Sequence, residues 1–441
     1  MAIEDREGHV LTGASQEARD HYQRGLDLQR CYIGNPLEAV EAAIAASPGF
    51  AMAHILRGWM YLIGTEPAGF AAARESHALA TPLARTPRER GHLAALGQLA
   101  NGHFHAAAQS LQRVSIDHPR DLMALQMGHL IDFFVGDCRL LRDRIARALP
   151  EWREDEVGYH LLLSMHAFGL EECGDYERAE RDGKRAVELE PRDGWAQHAV
   201  AHVLEMQGRH RDGIAWMRDD PDRWSRDSQL AIHNWWHASL YHLDLGEIDE
   251  VLALYDGPIF GPKPGIALEL VDASALLWRL KLREVDVGNR WTEVADKWAA
   301  VGEAGTYVFN DVHAVLAYIG AGQHNRLAAT LVQMEHAMEN DDDNAVFTRE
   351  VGLPAARSLK AFAEGDYRRT TDLLQPVIPI AHRFGGSHAQ RDLLDLTLIE
   401  AALRSGDGAL ARALTAERAL ARPDSPLSAL FSRRAADLSE N

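Results

Sequence analysis

The fold of this chain is decided by a motif in the stretch CGDYERAERDGKRAVELEP, residues 173–191. An apolar segment ends at Gly174, a short polar turn follows, and the small residue Ala179 comes five positions after the glycine. Glycine ends a helix at low cost because it tolerates positive φ. The same motif recurs at Ile33-Gly34-Asn35, Asn101-Gly102-His103, Gln207-Gly208-Arg209, Leu245-Gly246-Glu247, Ala321-Gly322-Gln323, Glu364-Gly365-Asp366 and Ser405-Gly406-Asp407. The recurrence predicts a series of helical hairpins.

The intervals between these glycines identify the type of repeat. Gly102 and Gly136 are 34 residues apart, as are Gly174 and Gly208. A proline follows both Gly102 and Gly174 at a distance of 17 residues, where it stops a helix. This pattern is typical of tetratricopeptide repeats, each of which is a helix–turn–helix. We therefore expect an all-α fold, namely a tetratricopeptide-type α-solenoid.

The expected solenoid is one continuous right-handed superhelix of about ten hairpins over residues 1–441. Two irregular insertions interrupt it, near 255–266 and near 340–345. The first contains Asp-Gly-Pro, Gly-Pro and Lys-Pro-Gly, which predict a loop that is not helical. The second begins with three consecutive aspartates. Helical periodicity resumes after each insertion, so neither is expected to link two domains.

Composition excludes several classes of partner. The net charge of −19 repels a phosphate backbone, so we expect no nucleic acid partner. The sequence has no apolar run of about 18 residues, so we expect no membrane partner. Three widely spaced cysteines without a C-x-x-C pair indicate a reducing compartment. The charged N-terminus MAIEDRE does not resemble a signal peptide. Together these features predict a cytoplasmic protein.

Several segments are more specific than the general repeat pattern. They are WAQHAVAHVLEM at 195–206, HNWWH at 233–237, FNDVH at 309–313, VGLP at 351–354 and GGSHAQRD at 385–392. On these segments the chain resembles the tetratricopeptide repeat protein 38 family, from about residue 48 to residue 427 and most densely between 193 and 392. The resemblance implies a helical-repeat fold and a cytosolic protein. It implies no catalytic mechanism, so function has to be argued from the site.

Histidines and one glutamate form the clearest candidate site. His198, His202 and Glu205 stand at i, i+4 and i+7, which places them on one face of a helix. His233 and His237 repeat the i, i+4 spacing in the next hairpin. Measured from the glycine that ends each helix, the four histidines fall within one arc of roughly 100°. We expect them to converge on the concave face, where Glu171 of the preceding repeat can add a carboxylate.

Three chemistries fit this constellation, and so does simple packing. His198, His202, Glu205, His233 and His237 are the residue types that hold a divalent metal ion. Alternatively, His202, Glu205 and His237 act as catalytic groups without metal, with His202 as a general base oriented by Glu205. Protonated imidazoles can also bind an acidic peptide or a small anion. The absence of H-E-x-x-H argues against a zincin-type protease.

Further candidates for ligand binding lie outside the histidine cluster. Asn310 and His313 share a helix face, from which Asp311 points away by roughly 160°. Trp236 can wall a pocket beside His233, whereas its neighbour Trp235 packs elsewhere. Ser387 and Gln390 have the spacing of a capping box.

The helix that this capping box begins carries His388 and Arg391, which can bind a carboxylate or phosphate. Two classes of function then fit the sequence. In the favoured one, a His/Glu-lined concave pocket binds a small molecule, with hydrolytic or proton-transfer chemistry. In the other, the groove binds a peptide or protein partner without catalysis.

Overall fold

The computed structural model describes residues 2–438, which form 25 α-helices in two compact units. The first unit contains residues up to Val200 and Pro221–Ala231. Its helices are α1 (Gln16–Cys31), α2 (Pro36–Ala46), α3 (Ala51–Ile63), α4 (Pro67–Ala80), α5 (Pro87–Ala100), α6 (Phe104–Asp117), α7 (Leu122–Phe134), α8 (Cys138–Ala148), α9 (Tyr159–Glu172), α10 (Tyr176–Leu189), the first half of α11 (Gly194–Met206) and α13 (Pro221–Ser225).

The second unit contains Ala201–Asp220 and the chain from Ile232 onward. It holds the second half of α11 and the helices α12 (His210–Arg218), α14 (Ala231–Leu245), α15 (Ile248–Leu254), α16 (Ala267–Leu282), α17 (Arg290–Val301), α18 (Val308–Gly320), α19 (His324–Ala337), α20 (Asp343–Phe347), α21 (Leu353–Ala363), α22 (Tyr367–Leu374), α23 (His388–Ser405), α24 (Gly408–Ala421) and α25 (Pro426–Asp437).

Consecutive helices pack as antiparallel hairpins, which confirms the predicted all-α, tetratricopeptide-like fold. The predicted turn glycines have positive φ, for example 78° at Gly174 and 69° at Gly208. The small residue after each turn allows its helix to pack closely against a neighbouring helix. A Cβ atom on Gly213 would lie 2.4 Å from the ring of Tyr241. The motif therefore combines a turn with a close helix contact.

The helices begin at side chains that cap their first backbone N–H groups. Thr86 and Glu89 form a capping box at the start of α5, and Ser387 and Gln390 form the predicted one at α23. Asp121 caps α7 by accepting from the Ala124 N–H at 3.0 Å. Such caps satisfy N–H groups that have no partner within the helix.

Both predicted insertions are more helical than expected. The prediction of a non-helical loop over residues 255–266 is wrong for Tyr255–Ile259, which forms a π-helical turn directly after α15. The wide turn accommodates Pro258, whose nitrogen has no hydrogen to donate. In the second insertion, Asp342 caps the short helix α20. Asp342, which the sequence analysis placed in a polar insertion, is therefore the N-terminal cap of a helix.

Within the second unit, the C-terminal helices contact helices that come much earlier in the sequence. Trp278 Nε1 of α16 donates to Thr397 Oγ1 of α23 at 2.9 Å, 119 residues away in sequence. Arg422, just after α24, lies 3.5 Å from Glu205 of α11. No helix in residues 2–438 is long and apolar enough to cross a membrane. The single superhelix over 1–441 stays a prediction, and its residues 1 and 439–441 lie outside the described chain.

Candidate functional site

Three of the predicted histidines come together in the second unit. His202 lies on α11, and His233 and His237 lie on α14. Each offers a ring nitrogen within 4.8 Å of the others. His202 and His237 are completely buried, and His233 is half-buried. Because these nitrogens come from two helices and approach one point, they have the arrangement of a metal-ligand set.

A carboxylate contacts the Nδ1 atom of two of these imidazoles. Asp272 of α16 lies 2.9 Å from Nδ1 of His233, and Glu205 lies 3.0 Å from Nδ1 of His237. An ionised carboxylate accepts the Nδ1 hydrogen, which leaves the lone pair of the ring on Nε2. Metal-ligating histidines typically donate their other N–H to a carboxylate in this way. The sequence analysis missed Asp272.

Burial favours the neutral form of His202 and His237. It lowers the pKa of His202 well below its usual value, and the neighbouring His237 lowers it further. Burial also lowers the pKa of His237 well below its usual value, with smaller contributions from His233 and Arg279. The neutral imidazole is the form that binds a metal ion or accepts a proton. The lowered pKa values of His202 and His237 disfavour anion binding by protonated forms of these two imidazoles, and anion binding at the cluster stays a prediction.

Two predicted residues belong to the first unit. His198 stands one turn before His202 on α11, and its ring lies 4.9 Å from Trp195 and 5.2 Å from Phe168 between centroids. Glu171, near the end of α9, is completely buried. Within the first unit, the ring of His198 thus packs against two aromatic side chains.

Glu205 and Trp236 both contact the histidine cluster. Glu205 contacts His237 and lies 3.5 Å from Arg422, so its closest imidazole is not His202, the partner that the sequence indicated. Trp236 is completely buried, and its ring stacks on that of His233 with centroids 5.4 Å apart and planes inclined by 17°. The carboxylate and the indole thus hold two of the rings in place.

Helix α18 contributes the predicted pair and the aspartate between them. Asn310, Asp311 and His313 are all buried. Burial therefore does not distinguish the face with Asn310 and His313 from the face with Asp311. His313 Nδ1 donates to the Phe309 carbonyl at 2.7 Å, and burial lowers its pKa to about 4. Asp311 accepts from the Gly305 N–H at 3.0 Å, and burial raises its pKa to about 7. The helix buries polar groups on both faces.

The start of α23 shows the predicted cap. Ser387 Oγ accepts from the Gln390 N–H at 3.3 Å, and Gln390 Oε1 accepts from the Ser387 N–H at 3.0 Å. Arg391 donates to the Gly386 carbonyl. His388 is close enough to His202 to lower the pKa of that imidazole. The capping box is confirmed, whereas anion binding by His388 and Arg391 stays a prediction.

A buried arginine near the cluster was also missed by the sequence analysis. The guanidinium carbon of Arg279 lies 5.4 Å from the ring centroid of Trp236, and the side chain is only 3% exposed. Arg279 stands seven residues after Asp272 on α16, a spacing that places both on one helix face. That spacing was the available signal, since charged residues are rarely buried together on one helix face.

Comparisons with known proteins give only distant structural similarities. No family model matches the chain. A solved structure of human IFIT1, a dimer with PPP-AAAA, aligns at 12% identity and a TM-score of 0.42, over 100% of this chain and 96% of that one. Yeast Tom70 aligns at 14% identity and a TM-score of 0.32, over 92% and 85%. Scores this low support no argument about function.

Proposed function

We propose that this helical-repeat protein binds a divalent metal ion through His202, His233 and His237 and uses it to bind a small molecule. The observation that carries the proposal is the convergence of three ring nitrogens within 4.8 Å, two of them on rings whose Nδ1 contacts a carboxylate. Simple packing of histidines requires neither the convergence nor the paired carboxylates.

Zinc is the ion whose preferences the donor set fits best. Catalytic zinc sites use three nitrogen or oxygen ligands and leave a fourth position for water or substrate. All three proposed donors are imidazoles, and burial favours the neutral, ligating form of His202 and His237. A zinc ion in such a site makes its bound water acidic enough to give hydroxide near neutral pH. The hydrolytic or proton-transfer chemistry indicated by the sequence belongs to this proposal, as does membership of the tetratricopeptide repeat protein 38 family.

A metal-free alternative is favoured by the contact between Glu205 and His237. A carboxylate 3.0 Å from Nδ1 orients an imidazole so that Nε2 can accept a proton. This alternative moves the general base from His202, as the sequence indicated, to His237. The scaffold alternative, a peptide or protein in a concave groove, predicts no metal dependence at all. Metal binding therefore separates the metal proposal from both alternatives.

The decisive experiment measures zinc in the untagged protein by elemental analysis and its affinity by competition with a chromophoric chelator. We expect about one zinc ion per chain. His202→Ala and His233→Gln should each weaken binding at least ~100-fold, because a three-ligand site loses one ligand. His233 is half-buried, so its variant carries less risk of misfolding.

His166→Ala is the matched control. His166 of the first unit also contacts a carboxylate through Nδ1, that of Asp182 at 2.9 Å, but it lies outside the cluster. This variant should bind zinc as tightly as the wild type. Equal zinc affinity in the wild type and in the two cluster variants would overturn the proposal and leave the metal-free and scaffold alternatives.

A further inference from the structure

The buried arginines of this protein divide into two kinds. Five arginines in residues 2–438 are buried, and four of them have a carboxylate oxygen within hydrogen-bonding distance. These four pairs are Arg30 with Glu7 at 2.5 Å, Arg88 with Asp121 at 2.6 Å, Arg144 with Asp132 at 2.7 Å and Arg418 with Asp392 at 2.6 Å. Arg279 is the fifth, and in the described chain no carboxylate lies within 4.0 Å of it.

The partners of Arg279 are neutral. Its two terminal nitrogens donate to the carbonyls of Ala275 at 3.3 Å and Ala389 at 2.6 Å. Carbonyl dipoles orient a guanidinium, but they do not cancel its charge. A buried charge without an opposite charge is costly, which is why buried charges are normally paired. The cost shows in the pKa of Arg279, which burial lowers to about 10.

The nearest carboxylates already serve other cations. Asp392 contacts Arg418 at 2.6 Å and lies 3.8 Å from Arg422. Glu205 contacts His237 and Arg422. The charges of Arg418 and Arg422 balance those of Asp392 and Glu205, so the charge of Arg279 itself is left over, and a bound zinc ion would increase this excess. A negative group supplied from outside the chain would restore the balance.

Two buried polar atoms next to this guanidinium have no hydrogen-bond partner in the described chain. One is Nε1 of Trp236, a donor, in the indole over which the guanidinium lies. The other is Nε2 of His313, an acceptor because Nδ1 of the same ring donates to a carbonyl. Burial is the main cause of the lowered pKa of His313, and the nearby positive charge of Arg279 lowers it further. Buried polar atoms without partners are rare and call for a ligand or an ordered water.

We propose that Arg279 binds the carboxylate or phosphate group of a small organic anion, while Trp236 and His313 hydrogen-bond its neutral polar groups. The inference deepens the proposed function, on which it rests, by naming the substrate class of the metal site. Arg279 is linked to that site through Trp236, whose ring stacks on His233. A guanidinium is suited to this role because its planar N–H groups match carboxylate and phosphate geometry.

The test titrates zinc-loaded and EDTA-treated protein with acetate and with inorganic phosphate at constant ionic strength, using chloride as the reference anion. Calorimetry and the shift in Tm report binding. We expect one saturable site per chain for at least one of the two anions, and the preferred anion identifies the group recognised. Arg279→Gln should weaken binding at least ~10-fold, and Arg279→Lys should weaken it less, because hydrogen bonds to charged groups are strong and geometry-dependent.

Arg283→Gln is the matched control. Arg283 follows Arg279 by four residues and also donates to a backbone carbonyl, that of Leu243, but it is half-exposed. Its loss should leave anion binding unchanged. Unchanged binding in Arg279→Gln, or no saturable binding of either anion to the wild type, would overturn the inference. The wild-type titration decides the matter even if the Arg279 variants do not fold.

Zinc content, measured on the same samples, separates this inference from the proposed function. Arg279→Gln should retain the zinc of the wild type while it loses the anion. If the wild type binds no zinc but binds an anion through Arg279, the metal proposal fails and the anion site stands. If zinc binds and no anion does, the metal proposal stands and the anion site fails.

Discussion

Arg88 of the first unit and Arg279 of the second are both buried guanidinium groups, exposed by 5% and 3%, yet their environments differ. Arg88 Nε donates to Asp121 at 2.6 Å, and His92 Nε2 lies 2.7 Å from the same carboxylate oxygen. Arg279 contacts only carbonyls and an indole. The first unit neutralises Arg88 with its own side chains, whereas the second unit, which pairs Arg418 with Asp392, leaves Arg279 without a carboxylate partner among the described residues.

This difference separates a structural network from a functional one. A buried charge with a partner in the same chain orders the fold and needs nothing else. Burying converging histidines and a cation without a counter-charge costs free energy of folding. A role in folding alone does not explain why the protein has them. Perturbed titratable groups of this kind concentrate at functional sites. The second unit is therefore where we look for chemistry, and three sets of variants test the distinction.

The largest effect is expected from Asp121→Ala in the first unit. The substitution removes the carboxylate that contacts Arg88 and His92 and also caps α7. Because it removes the closer of the two carboxylates beside a buried guanidinium and leaves only Asp5 at 3.6 Å, we expect the free energy of unfolding to fall by about 3 kcal/mol. Urea unfolding measures the loss, and zinc affinity should not change. A loss below about 1 kcal/mol would show that the network is not structural.

The next effect comes from Asp311, a buried carboxyl of the second unit without a charged partner. Burial raises its pKa to about 7. The folded protein therefore holds a proton that the unfolded chain releases. The stability contributed by the protonated Asp311 carboxyl is complete below about pH 4 and is lost as the pH rises through 7. The difference between the ordinary pKa of an aspartate, 3.8, and the value of about 7 in the folded protein limits this loss of stability to about 4 kcal/mol.

Asp311→Asn keeps an acceptor for the Gly305 N–H and removes the ionisation. We expect the variant to become progressively more stable than the wild type as the pH rises from about 4 to about 8. Thermal unfolding across this range measures the difference. Parallel pH profiles for the two proteins would show that Asp311 stays ionised in the folded protein, as the paired Asp121 is expected to do.

The smallest effect is expected from the carboxylates behind the proposed metal ligands. Glu205→Gln and Asp272→Asn keep the size of each side chain but weaken its contact with Nδ1 of His237 or His233. Loss of such a partner typically lowers metal affinity 10–100-fold. Chelator competition measures this, with Asp182→Asn, the partner of His166 in the first unit, as the control. Zinc affinity unchanged in all three variants would mean that these carboxylates only pack against the rings.

Most of the fold was predictable because it depends on local signals. Glycine turns such as Gly174 and caps such as Ser387 act over a few residues, and the structure places both as predicted. The error at residues 255–259 also has a local cause. Proline and glycine usually end a helix, but a single π-helical turn tolerates a proline there.

The candidate site was predicted in part. The i, i+4 spacing of His233 and His237 places both rings on one face of α14, so their proximity could be read from the chain. The pairing of Glu205 with His237 instead of His202 could not, because it depends on how α11 packs against α14. Asp272 was missed for the same reason, since its partner His233 is 39 residues away.

The sequence by itself determined that this chain forms helical hairpins and that histidines share a helix face in consecutive repeats, since turn residues and helical periodicity act locally. Only the tertiary structure decided which charges have partners. Arg279 donates to Ala389, 110 residues away, and stays without a carboxylate, because its neighbours are set by the return of α23 to α16. Packing between distant helices, which no local pattern encodes, thus made one arginine of the second unit the exception among five.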